Sequence, residues 1–93
     1  MIMSVERIEK AMVNVYLFLA GPRFVNSKEG AEYCIVRLRE KGITAKVHQY
    51  EYVGTEDTGW GVYFEYHGWR IFAEEEMFAE NLLTGREVFC PPC

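Results

Sequence analysis

The sequence predicts an α+β fold of two layers, with helices packed on one face of a three-stranded antiparallel meander, in the order α-α-β-β-β-α. Three observations carry that prediction. Two segments before Ile43 repeat their apolar residues at three- and four-residue spacing and end in glycine. From Ile43 the period switches to two. Further on, His67-Gly68 separates two alternating runs in the manner of a two-residue hairpin loop.

The first helix is read from Ser4 to Gly21. Val5, Ile8, Met12, Val15 and Leu19 form one apolar stripe, Ser4 is placed to cap it, and Glu6 and Glu9 suit the positive end of the helix dipole. Gly21-Pro22 is a stop signal. Residues 13–19 compete as an additional strand, because Val13, Val15, Tyr16 and Phe18 are β-branched or aromatic. The end signals favour the helix. The second helix begins at Asn26 or Ser27, with Glu29 three residues after Asn26 as in a capping box, and ends at Gly42. Ala31, Cys34, Ile35 and Leu38 make its buried face, while Lys28, Glu29, Arg37, Arg39, Glu40 and Lys41 are solvated. A cysteine on the apolar stripe reads as a small core residue rather than a reactive thiol.

Ile43, Ala45 and Val47 alternate with Thr44, Lys46 and His48 in a half-buried strand that runs to Val53, followed by a polar loop from Gly54 to Gly59. Val62–Tyr66 and Trp69–Ala73 then form the hairpin. The short loop fixes its register: Tyr66 opposite Trp69, Glu65 opposite Arg70, Phe64 opposite Ile71, Tyr63 opposite Phe72. One face carries Val62, Phe64, Tyr66, Trp69, Ile71 and Ala73 and belongs to the core. The other carries the Glu65–Arg70 charge pair beside Tyr63 and Phe72. Glu74 to Thr84 reads as a short third helix, with Glu74, Glu75 and Glu76 at its positive end and Gly85 after it. Residues 86–93 form a short tail on a single domain spanning 1–93, with an apolar residue or two packed back on the body.

Composition narrows the function. A net charge of −4 and a pI near 5.1 argue against a surface that tracks phosphates, so no nucleic-acid partner is expected. The chain turns charged at Glu6, and its longest uncharged stretch, Ala11 to Pro22, is 12 residues and too short to cross a bilayer. A cytoplasmic protein without a membrane partner is the expectation. Aromatic residues at 15% exceed what a small core needs, which points to a homo-oligomer or another protein contact.

The motif with the most chemical content is Cys90-Pro91-Pro92-Cys93. Structural zinc takes four ligands, commonly two such pairs, and the only further Cys or His residues are Cys34, His48 and His67. Two tails sharing one ion is the form such a site would take. Pro92 removes a backbone N–H that a thiolate would use, and no helix follows to lower a thiol pKa. Cys90 and Cys93 are therefore expected to be inert or to close an opportunistic disulfide, with no metal and no cofactor. His48 shares a strand face with Lys46, Tyr50 and Tyr52, and no nucleophile or carboxylate stands at a triad-like spacing, so no enzyme activity is expected. The acidic cluster of Glu74, Glu75, Glu76 and Glu80, with Glu56 and Asp57, reads as a solvated helix end or a face toward a basic partner.

The aromatic side of the sheet is the leading candidate site. Tyr63 and Phe72, joined by Tyr50 or Tyr52 and rimmed by Glu65 and Arg70, have the character of a partner-binding surface unless the first helix or the tail covers them. The function read from this is non-catalytic binding to a protein partner, as a regulator, inhibitor or assembly factor of the kind common in viruses and mobile elements. The rival is a metal- or thiol-dependent protein using the Cys-Pro-Pro-Cys pair. A third reading places a small molecule between the helices and the sheet.

Two resemblances bear on this. The order helix, three strands, helix over Asn26 to Thr84 resembles that of double-stranded-RNA-binding domains. That family opens its last helix with basic residues, where this chain has Glu74-Glu75-Glu76, so RNA binding does not carry over. Leu19-Ala20-Gly21-Pro22 with Phe24 resembles the strand-end motif of nucleoside deoxyribosyltransferases, but it spans a few residues of a chain too short for that fold.

Overall fold

Ser4 starts the first helix as the sequence predicts: its Oγ accepts the Arg7 N–H at 3.3 Å, and α1 runs Val5–Phe18. The computed structural model describes residues 2–20, 27–51, 54 and 58–91. Residues 13–18 belong to α1, so the additional strand does not form. Leu19 is the C-cap and Ala20 turns to φ 58°, which ends the helix before Gly21. Helix wins because Ile8, Met12 and Leu19 bury together on one stripe, whereas a strand would send alternate residues to opposite sides. The second helix, α2, runs Lys28–Arg39. Ser27 is its cap and accepts the Gly30 N–H at 2.8 Å, while the alternative cap Asn26 lies outside the described residues.

Among the described residues five strands follow: β1 Lys46–Glu51, β2 Thr58–Tyr66, β3 Trp69–Ala73, β4 Phe78–Asn81 and β5 Glu87–Phe89, in one antiparallel sheet of order β1-β2-β3-β4-β5. The class is α+β as read from the sequence, but the meander has five strands rather than three and the third helix is absent. Glu74, Glu75 and Glu76 form a bend, and Phe78–Asn81 pairs with β3. Asn81 explains the difference. Its Oδ1 accepts the N–H groups of Leu83 and Thr84 at 2.9 and 3.0 Å, and its carbonyl accepts from Gly85, which sits at φ 77°. A side chain that satisfies the backbone of a tight turn competes directly with helix. The tail becomes β5, with Val88 9% exposed in the core. The first strand starts at Lys46 rather than Ile43, and residues 52–53 lie outside the described residues.

The hairpin has the register predicted, pair for pair: Tyr66–Trp69, Glu65–Arg70, Phe64–Ile71 and Tyr63–Phe72. His67 and Gly68 both have positive φ, 47° and 86°, as a type I′ turn requires. The N-terminal segment clasps this turn. The Met3 N–H donates to the His67 carbonyl at 3.0 Å, and Trp69 Nε1–H donates to the Met3 carbonyl at 2.8 Å. A Cβ on Gly68 would lie 2.8 Å from Ile2 Cγ1. Gly68→Val should therefore cost about 1–3 kcal/mol in chemical denaturation, and Gly68→Asn less, since Asn tolerates that backbone region. Equal losses for the two would contradict the turn geometry.

Both helices lie on the same side of the sheet, α2 over β1 and β2, α1 over β3, β4 and β5. The core is the layer between: Ile8, Met12 and Leu19 from α1, Ala31, Cys34 and Leu38 from α2, and Val62, Phe64, Trp69, Ile71, Ala73, Ala79 and Val88 from the sheet. Val47 keeps 37% of its surface because β1 is an edge strand.

Candidate functional site

Alternation in a strand sends every second residue to the side away from the helices. The register then aligns those residues in rows across the sheet. One row reads Lys46, Tyr63, Phe72, Phe78, Phe89 and crosses all five strands. The rings are in contact. Tyr63 and Phe72 centroids lie 5.8 Å apart, Phe72 and Phe78 stack at 4.7 Å with planes 10° apart, and Phe78 and Phe89 lie at 5.9 Å. These separations fall within the range in which aromatic pairs attract. Among the described residues, no element lies over the row. Tyr63, Phe72 and Phe78 are half-buried by one another, and Phe89 is exposed.

A charged row, Glu65, Arg70, Glu80, Glu87, flanks the aromatic one on one side. Arg70 Nη2 is 3.9 Å from Glu65 Oε2, and its guanidinium carbon lies 5.5 Å from the Tyr63 ring centroid. An ion pair this open contributes little to stability, so its role is to set charge at the rim.

On the other side stands a pair that the sequence does not announce. His48 Nδ1 is 2.6 Å from Glu74 Oε2, in a partly buried contact. A carboxylate only accepts, so Nδ1 is the donor. The imidazole sits edge-on to Phe72 at 5.1 Å and to Tyr63 at 6.1 Å, and stacks with Tyr50 at 5.8 Å. Two glycines of β2 make room. Gly61 pairs with His48 and Gly59 with Tyr50, whose ring occupies the space a Gly59 side chain would need.

The structure thus brings together five of the six residues the sequence places at the partner face: Tyr50, Tyr63, Phe72, Glu65 and Arg70. Tyr52 lies outside the described residues. Phe78, Phe89, His48 and Glu74 join them. Phe78 and Phe89 carry no strand signal: neither Phe78-Ala79-Glu80-Asn81 nor Glu87-Val88-Phe89 alternates apolar with polar residues, and the helical reading of 74–84 covers the first of them.

The other candidates resolve separately. Cys34 is 1% exposed, and burial pushes its thiol up to about 11, as befits a core residue. Cys90 is half-buried against the core, with its N–H donating to the Met77 carbonyl at 3.0 Å; Pro92 and Cys93 lie outside the described residues. Among the described residues no cluster of three or more His, Cys, Asp or Glu side chains could hold a metal ion, and no helix is long and apolar enough to cross a membrane. No family model matches the chain, and no curated protein or solved structure matches it significantly, which leaves the residues of the open face as the ground for a functional reading.

Proposed function

We propose that this protein works by non-catalytic binding of a protein partner through the open face of its sheet, as a regulator, inhibitor or assembly factor. The observation that carries the reading is the aromatic row from Tyr63 to Phe89, with no described element over it. Stacked rings surrounded by charge have the composition of a protein contact, in which aromatics form the centre and ionised groups the rim. Acidic groups outnumber basic ones on this face, Glu65, Glu74, Glu80 and Glu87 against Lys46 and Arg70, which suits a partner with apolar groups framed by Lys or Arg.

A second copy of the chain is the first partner to test. Light scattering of the purified protein up to high micromolar concentration should show reversible association. Phe72→Lys, at the centre of the row, should weaken it about thirtyfold or more, the loss typical of a central aromatic anchor. Tyr33→Lys, on the outer side of α2, should not. A strict monomer throughout would remove the second copy as partner. A photo-crosslinking residue at Phe89 that captures nothing in the native host, while one at Tyr33 does, would overturn the assignment of the face.

A further inference from the structure

No Cα of α1 lies within 8 Å of a Cα of α2, and the two helices meet through the Phe18 ring and Arg37. The gap between them is a cavity of about 430 Å³, within the usual range for small-molecule sites. Its lining includes Phe64, Ile71 and Leu38, all buried in the core, and Ala11, Val15 and Phe18 along one side of α1. Phe18 bridges the helices, with the Arg37 guanidinium 4.5 Å and the Lys41 ammonium 5.1 Å from its ring centroid.

The charge at this cavity is opposite to that of the chain. Arg7, Lys10 and Lys41 line it, all three exposed, and among the described residues no carboxylate does, although the protein carries a net charge of −4. Among the described residues neither Arg7 nor Lys10 has an ion-pair partner. We propose that the gap binds an amphipathic carboxylate, a straight-chain fatty acid of medium length. Its alkyl chain rests on Ala11, Val15, Phe18 and Ile43, the half-buried apolar lining above the core residues Phe64, Ile71 and Leu38, and its carboxylate meets Arg7, Lys10 and Lys41. Size selects this class over an acidic peptide helix, because a helix about 10–12 Å across with its side chains is too wide for a slot between two helices already seated on one sheet. Lining chemistry selects it over a nucleotide, because with Arg7, Lys10 and Lys41 taken by the phosphates only Asn14 and Tyr66 remain, among the described residues of the lining, to read a base.

Titration calorimetry and amide-shift mapping with decanoate, below its micellar concentration, test this on the full chain. Decanoate should bind one to one and shift amides of residues 7–18 and 38–43. Shortening the acid should weaken binding roughly fourfold per methylene, the loss expected for a buried chain. Decanol should bind more weakly than decanoate. The double variant Arg7→Glu, Lys10→Glu, at exposed positions, should lower decanoate affinity about tenfold while leaving decanol unchanged. Ala11→Trp, which fills the gap, should abolish binding of both; should that variant fail to fold, the charge-reversal arm decides alone. The proposal is overturned by equal binding of decanoate and decanol, by shifts confined to the open sheet face, by no saturable binding, or by an acidic amphipathic peptide that occupies the gap where decanoate does not.

Discussion

Trp69→Ala is expected to lower stability by about 3–5 kcal/mol, the usual cost of truncating a large buried aromatic. Trp69 is 2% exposed and the largest of the fully buried side chains. Two losses combine. Its removal opens a cavity in the core between the helices and the sheet, and the Met3 carbonyl loses the Nε1–H donor at 2.8 Å that ties the N-terminal segment to the hairpin. Domains of this size have total stabilities of about 5–15 kcal/mol, so the variant should be marginal. At about 4–8 °C per kcal/mol, Tm should fall by about 12 °C or more. Trp69→Phe separates the contributions: it keeps most of the volume and loses the hydrogen bond, at about 1–2 kcal/mol. Urea denaturation in which Trp69→Ala costs no more than Trp69→Phe would show that the ring does not fill the core.

The contrast between Trp69 and Phe78 shows what the sequence makes legible. The placement of Trp69 follows from local rules that agree: a turn with Gly at positive φ, alternation on both arms, and opposite charges across the pair Glu65–Arg70. A one-residue slip would invert every face, so the register is strongly determined. Phe78 lies in a segment where local rules conflict. Three glutamates at its start and Leu82 and Leu83 near its end imitate a capped amphipathic helix, while the four residues of β4, Phe78-Ala79-Glu80-Asn81, do not alternate apolar with polar. Leu83, for all its apolar character, is 78% exposed in the turn. β3 already offers an unpaired edge, and hydrogen bonding to it outweighs a helix too short to hold itself together. β5, with three residues, is shorter than any pattern could establish.

The same division governs the candidate site. Tyr63, Phe72, Glu65 and Arg70 follow from hairpin register alone, and Tyr50 from its shared parity with His48. The His48–Glu74 contact depends on how β1 pairs with β2 across the polar loop and on the bend after Ala73. Neither has a local signal, and no spacing in the sequence pairs His48 with Glu74. The gap between the helices is less legible still. Its basic side chains, Arg7 and Lys10 on α1 and Lys41 just after α2, are ordinary solvated residues until the sheet sets the two helices apart.

Gly61→Ala should be the most damaging of the single-methyl additions on the open face. A Cβ at this position would lie 2.7 Å from the Ala73 carbonyl oxygen and 2.6 Å from Glu74 Cβ, closer than such atoms approach in folded proteins. One of those neighbours is backbone, so relief requires β2 and β3 to shift at the point where Glu74 turns toward His48. Overpacking of this kind costs about 1–3 kcal/mol, against an offset of about 0.4–1 kcal/mol from the stiffer unfolded chain. Gly59→Ala is the control. Its new methyl meets the far end of the Tyr50 ring, which can swing aside, so it should be nearly neutral in stability. The two variants also differ in what they disturb. Gly61→Ala should break the His48 Nδ1 to Glu74 hydrogen bond, read by nitrogen NMR of the imidazole as a change in tautomer balance, while Gly59→Ala should leave it intact and move only Tyr50. If Gly61→Ala proves as mild as Gly59→Ala and keeps the Nδ1 proton in place, the close approach of β2 to the Ala73–Glu74 bend is wrong. The glycine would then be incidental to the pair that borders the aromatic row.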